Sequence, residues 1–180
     1  MPQAAAHILI PLILASIIRD FHIRRKSRKS FPLHYVLIAG IAGIIPDLDI
    51  AAFWILNFFG FTLQQIHRTF MHTIFIPLIF FIMFLVFHNT NIKTLGRHKL
   101  KLSIIFLMLA FGSIMHLLLD ATLSGQVMPF YPLSNLAIGL NLFGYLPYAL
   151  EEIAAPSLDG GLLILYLIYL EVRHKISDFI

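Results

Sequence analysis

The sequence predicts an all-α, polytopic integral membrane bundle of about four to five membrane helices, with an interfacial region of loop and short helix. Three observations carry that expectation. Hydrophobic residues make up 59 % of the chain and charged residues only 12 %, and the mean hydropathy of +0.86 lies outside the range of ordinary soluble domains. Apolar runs recur along the 180 residues, enough to cross a bilayer repeatedly within one domain. Lys and Arg are gathered into the short segments that separate those runs, as membrane orientation requires.

The same composition excludes several classes. A net charge of +4 is not a nucleic-acid signature here, because the bases sit in connecting segments rather than on a continuous face. No nucleic-acid partner is expected; the expected surroundings are membrane lipid. Cysteine is absent, which removes disulfides, thiolate ligands and Cys nucleophiles, so a metal site must use imidazole and carboxylate. Nine histidines against nine acidic residues supply both.

Residues 4–18 read as a first, short membrane helix with His7 near its start. Charges follow this apolar run instead of preceding it, and no small-residue cleavage site is evident, so it does not read as a secretory signal. Residues 19–29 hold six bases and one acid and read as a cytoplasmic loop. The second span, 32–61, contains Pro46-Asp47-Leu48-Asp49. Pro46 lacks a backbone donor and disfavours helix before it, so the span should break and restart there. On one continuous helix Asp47 and Asp49 would stand about 200° apart; a break lets both carboxylates turn toward one site.

A polar connection, 62–73, carries His67, Arg68 and His72. On a regular helix the two histidines would diverge by about 140°, so they converge only if a helix starts between them. The third span is 73–88, followed by a second basic loop with Lys93, Arg97, Lys99 and Lys101. The fourth span, 103–121, ends on His116 and Asp120, whose i, i+4 spacing puts both side chains on one face. Residues 122–161, rich in Pro, Gly and aromatics, read as interfacial, and a fifth apolar run, 162–170, leads to a basic tail. Glu151, Glu152 and Asp159 are expected to be solvated loop residues, with extra metal ligands as the alternative.

Twelve of the thirteen Lys and Arg residues lie in the two basic loops and the tail, and Arg68 is the thirteenth. The positive-inside rule then sets a cytoplasmic-membrane topology with the N-terminus outside and the C-terminus cytoplasmic. At about 1.5 Å per residue, His7, Asp47, Asp49, His72, His116 and Asp120 reach one layer in the outer third of the membrane, delivered by four helices. His22, His34, His88, His98 and His174 fall at the other end. Ionisable groups at membrane depth cost a few kcal/mol each and must avoid lipid, so such a ring points to function. His and Asp without sulfur suit Zn²⁺, with Mn²⁺ or Fe²⁺ as alternatives, and the number of candidate ligands allows two or three ions. Clustered metals suit phosphoester hydrolysis, for which Arg68 would stabilise the developing phosphoryl charge; a headgroup anchor is the equal alternative for Arg68. A proton or metal-ion transporter, or a non-catalytic protein with a structural metal site, would use the same ring.

His7, Gly43-Ile44-Ile45-Pro46-Asp47-Leu48-Asp49, His67-Arg68-Thr69-Phe70-Met71-His72, and His116-Leu117-Leu118-Leu119-Asp120 with Thr122 and Gly125 resemble the membrane-bound metal-dependent hydrolase family, which includes LexA-regulated inner-membrane proteins. The resemblance covers roughly residues 7–132, within a motif-bearing core of 4–132; the segment 133–180 holds the interfacial region and last helix. Thr73 stands where that family usually has Ser. The family is more distantly similar to zinc-dependent phospholipase C and single-strand nucleases, helical proteins with zinc held by His and Asp. The likeness implies that His7, Asp47, His67, His72, His116 and Asp120 are ligands, with Asp49 a ligand or general base. The resemblance supports a metal site more than a reaction; with the phosphoester that clustered metals suit, the depth of the ring makes a phospholipid headgroup the expected substrate.

Overall fold

The computed structural model describes residues 4–67, 69–90, 95 and 99–179. Its helices are α1 (Ala4–Arg25), α2 (Leu33–Ala42), α3 (Leu48–Leu56), α4 (Leu63–Ile66), α5 (Phe75–His88), α6 (Leu102–Leu119) and α7 (Tyr148–His174). Among the described residues no strand forms, and the two isolated bridges pair Leu95 with Leu100 and Val127 with Ile138. Three helical stretches, Ala4–Arg25, Leu102–Ser124 and Tyr148–His174, are long and apolar enough to cross a membrane.

The second span breaks where Pro46 predicts. Helix α2 ends at Ala42, a turn carries residues 43–47, and α3 restarts at Leu48 with Asp47 as its N-cap residue. Two other expectations require correction. The first helix continues to Arg25, so residues 19–25 are helical rather than loop. Their basic side chains complement the negative end of the helix dipole, and Asp20 is buried against α7, where it accepts from Tyr169 Oη at 2.8 Å. Helix α7 begins at Tyr148 and not near residue 162, and it runs unbroken for 27 residues through Pro156 and past Gly160 and Gly161. Where lipid offers the backbone no partner, a helix is the only way to satisfy its amides, which outweighs local breaker residues. Glu151, in the first helical turn, and Glu152, just after it, are therefore exposed helical residues, and Asp159 is helical too, so none of the three belongs to a loop.

Helices α1 and α2 run antiparallel, α2 and α6 parallel, and α5 antiparallel to α6. Helix α7 lies parallel to α1 at a constant offset: Asp159 Oδ1 accepts from the Ala6 amide at 2.8 Å, and Asp20 Oδ2 faces Arg173 Nε at 3.4 Å, both pairs 153 residues apart. Ala6 is among the N-terminal amides of α1 that no intrahelical carbonyl can serve, so Asp159 caps α1 from another helix. At the other end the Tyr35 hydroxyl accepts from the Lys101 amide at 2.7 Å and so satisfies the start of α6.

The core is small-grained: Ala15, Tyr35, Val36, Ala39 and Met108. Apolar burial drives helices together weakly inside a bilayer, so close approach of small residues carries the packing. Gly112 shows this most directly. A Cβ there would lie 2.4 Å from the Ala39 carbonyl oxygen and 2.5 Å from Ala42 Cβ. Gly112→Leu is expected to separate α2 from α6 and destabilise the fold by about 1–3 kcal/mol. Thermal unfolding in detergent measures this; an unchanged melting temperature would contradict the packing.

Candidate metal centre

Three irregular stretches meet at the end of the bundle opposite the bases: the turn at 43–47, residues 67 and 69–74, and the wound turn at Asp120–Ser124 that closes α6. The last is a π-type turn, a geometry that often marks functional positions in helices. His7 joins them from the first turns of α1. His7, Asp49, His72, His116 and Asp120 are all buried, His72 and His116 completely.

The hydrogen bonds determine which ring nitrogens are available. His116 Nδ1 lies 2.6 Å from the Gly43 carbonyl. A carbonyl only accepts, so Nδ1 carries the proton and the neutral ring presents a lone pair at Nε2. Asp49 does the same for His67 and stands beside His72 at ion-pair distance, without an aligned hydrogen bond to its Nδ1. Its Oδ1 faces His67 Nδ1 at 3.0 Å and its Oδ2 faces His72 Nδ1 at 3.1 Å. Carboxylates that hold Nδ1–H in this way orient a histidine so that Nε2 serves as a ligand.

Nε2 of His72 and Nε2 of His116 stand 3.2 Å apart. With both Nδ1 positions protonated, two neutral rings would face each other lone pair to lone pair, which a shared cation relieves. Around them, Asp47 Oδ1 lies 3.5 Å from His72 Nε2 and 3.7 Å from His116 Nε2. Asp120 Oδ2 lies at the same two distances from the same atoms, 3.5 and 3.7 Å. His7 Nε2 is 3.3 Å from Asp120 Oδ1, and the His7 ring rests on that of His116 with centroids 4.1 Å apart. His67 Nε2 is buried without a hydrogen-bond partner among the described residues. Two groups could hold a metal ion, His7 with His116 and Asp120, and Asp47 with His67 and His72. Imidazole and carboxylate alone, with ring tautomers set by neighbouring acceptors, suit a divalent cation.

All seven His and Asp residues singled out by the sequence converge here. His67 and His72 meet with centroids 4.8 Å apart because the chain between α4 and α5 is not helical, not because a helix starts between them. Arg68, the expected phosphoryl-binding base, lies outside the described residues, as does His98. His22, packed on Phe31, and His174, 3.5 Å from Asp20, stand at the basic end as expected. Sequence reasoning missed two supports. Ser124 Oγ donates to Asp120 Oδ1 at 3.1 Å, a contact that the i, i+4 spacing could have suggested. The Gly43 carbonyl had no sequence signal, because backbone acceptors leave none.

Curated proteins and solved structures were both searched, and neither search returned a match. The family model described as YdjM inner membrane protein matches residues 1–175. That description names a membrane and no reaction. With the match running over nearly the whole length, the chain belongs to the YdjM inner membrane protein family.

Proposed function

We propose that the protein is a membrane-bound, metal-dependent hydrolase acting on a phosphoester, with a phospholipid headgroup as the substrate and the cluster opening on the extracytoplasmic face. The observation that carries the metal assignment is the 3.2 Å approach of His72 Nε2 to His116 Nε2, the latter freed for ligation by the Gly43 carbonyl at its Nδ1. Zinc is the ion proposed. Ligands at about 2.0–2.1 Å from a tetrahedral zinc stand about 3.3 Å from one another, close to the 3.3 and 3.7 Å that separate His7 and His116 from Asp120 in one group and the 3.5 Å between His72 and Asp47 in the other. The presence of two three-residue groups supports two ions.

A bound divalent pair supplies a water of lowered pKa and a clamp for phosphoester oxygens. The chain's own part is to hold the ligands. Asp47 and Asp120 offer carboxylate oxygens between the two central imidazoles, and Asp49 fixes His67 and flanks His72. With both its oxygens engaged, Asp49 is better suited to positioning those rings than to ligation or base chemistry. An apolar cavity of about 420 Å³, lined by Leu48, Ala52, Phe61, Phe70 and Met71, reaches Asp49 and suits the alkyl part of a lipid. Collection of the bases at the opposite end supports a cytoplasmic C-terminus and an N-terminus outside.

Elemental analysis of detergent-purified protein should find about two equivalents of zinc, with Asp47→Asn and Asp120→Asn each losing the metal while still expressing. Full retention in both variants would sink the assignment. Absence of any metal under replete conditions would instead leave His72 and His116 sharing a proton, as in a relay. Hydrolysis of phospholipids or phosphodiesters by the metal-loaded wild type, absent in Asp120→Asn, tests the reaction itself.

Asp49→Asn should behave differently. An amide replaces with a donor one of the two carboxylate oxygens that face the Nδ1 atoms of His67 and His72, so one ring turns or changes tautomer. Zinc affinity is expected to fall about 10–100-fold, read by competition with a chelator. A loss as complete as in Asp47→Asn would make Asp49 a ligand.

A further inference from the structure

The other end of the bundle holds a second built feature. Helices α2 and α7 both lie on α1 and leave a crevice of about 580 Å³ between them, floored by Ser16. Its inner walls are apolar, with Leu33 and Leu37 from α2 and Tyr166 and Leu170 from α7. Its mouth is cationic: Arg19, Arg28, Arg173, His174 and Lys175 line it, and none of the lining residues is acidic.

Part of this charge is already engaged. Behind the crevice the buried Asp20 faces Arg173 Nε at 3.4 Å, His174 Nε2 at 3.5 Å and Arg19 Nη1 at 3.6 Å. Arg173 reaches it through Nε, which leaves the terminal amino groups of its guanidinium for another acceptor. Arg28 and Lys175 have no acidic partner among the described residues. The nearby Glu171 carboxylate is occupied by the Ser177 hydroxyl and amide, at 2.7 and 3.0 Å. Lys175 also ends α7 in the left-handed region, φ 49°, a position that favours glycine. One acid therefore stands against four permanent cations around one crevice whose walls are fit for hydrocarbon.

We propose that this crevice binds an anionic phospholipid, its phosphate held by Arg28, Arg173 and Lys175 and its acyl chain lying between α2 and α7 along Leu37 and Leu170. Basic recesses between membrane helices recognise headgroups in this way, and each Lys or Arg near an anionic surface adds to the attraction. The apolar walls select a lipid over a free phosphate, and the site is separate from the His/Asp cluster at the opposite end.

The test is lipid titration of the purified full-length protein in detergent, read by native mass spectrometry. Phosphatidylglycerol, phosphatidylcholine and inorganic phosphate serve as probes. Phosphatidylglycerol is expected to bind at least about tenfold tighter than phosphatidylcholine. Arg28→Gln/Lys175→Gln should weaken it about tenfold or more, with no change in the melting temperature measured without added lipid. Arg24→Gln/Arg25→Gln, which removes two charges outside the crevice, should stay within about twofold of wild type. Equal binding of the two lipids, or equal losses in the two variants, would overturn the proposal in favour of diffuse surface charge. Complete displacement of the lipid by millimolar phosphate would reassign the crevice to a soluble anion.

Discussion

His116 donates Nδ1–H to the Gly43 carbonyl at 2.6 Å, and that contact joins the three helices on which everything else is mounted. It exists only because residue 43 is glycine. A Cβ there would lie 1.9 Å from the His7 carbonyl oxygen and 3.0 Å from Pro11 Cγ. The Gly43 backbone is thus pressed against α1 on one side while it serves α6 on the other. Since the Gly43 φ of −64° is ordinary helix, the requirement is space and not left-handed freedom. Close contact here places His7 against His116 and fixes the tautomer of His116 in one step. The same closeness, repeated at Gly112, keeps α2 in register with α6, so the cluster and the core share one packing solution.

Both ends of the molecule use a buried carboxylate as organiser. Asp49 gathers two imidazoles at one end, and Asp20 gathers a phenol, two guanidiniums and an imidazole at the other. A buried carboxylate is costly unless several donors surround it, so each location forces convergence from elements far apart in sequence. Helix α7 is held to α1 at two points, by Asp159 on the Ala6 amide near the start of α1 and by Asp20 on Arg173 near the end of α7. That two-point attachment explains how a helix with most of its surface facing outward keeps a defined position.

Much of this was legible in the residues. The break at Pro46 follows from the chemistry of proline, and the gathering of His and Asp follows from the cost of charge in lipid. The separation of the bases from that cluster follows from membrane orientation. What was not legible has equally physical reasons. The extent of α7 was hidden because Pro156 and Gly160-Gly161 signal a loop in water, whereas in lipid the unsatisfied backbone dominates. The helical state of residues 19–25 was hidden because it depends on Asp20 meeting partners some 150 positions away, a tertiary effect without local trace. The division of labour between Asp47 and Asp49 could not be read either. Both are aspartates two residues apart, and only the direction of each carboxylate separates a candidate ligand from a residue that holds histidines in place.

The shortness of the remaining helices gives the cluster its level in the membrane. Helices α2, α3 and α5 have 10, 9 and 14 residues, and at about 1.5 Å per residue none spans a hydrocarbon core of about 30 Å. Each stops at the non-helical stretches around residues 43–47, 67 and 69–74. Irregular backbone at membrane depth is tolerated only where it is buried in protein or lines a polar cavity. The turns supply the directions that bring seven side chains together, and the side chains supply the polar interior that makes the turns tolerable. Neither is stable without the other, so removal of the polar interior would leave exposed amides as well as a lost site. For this reason the cluster belongs to the architecture of its end of the bundle as much as to its chemistry.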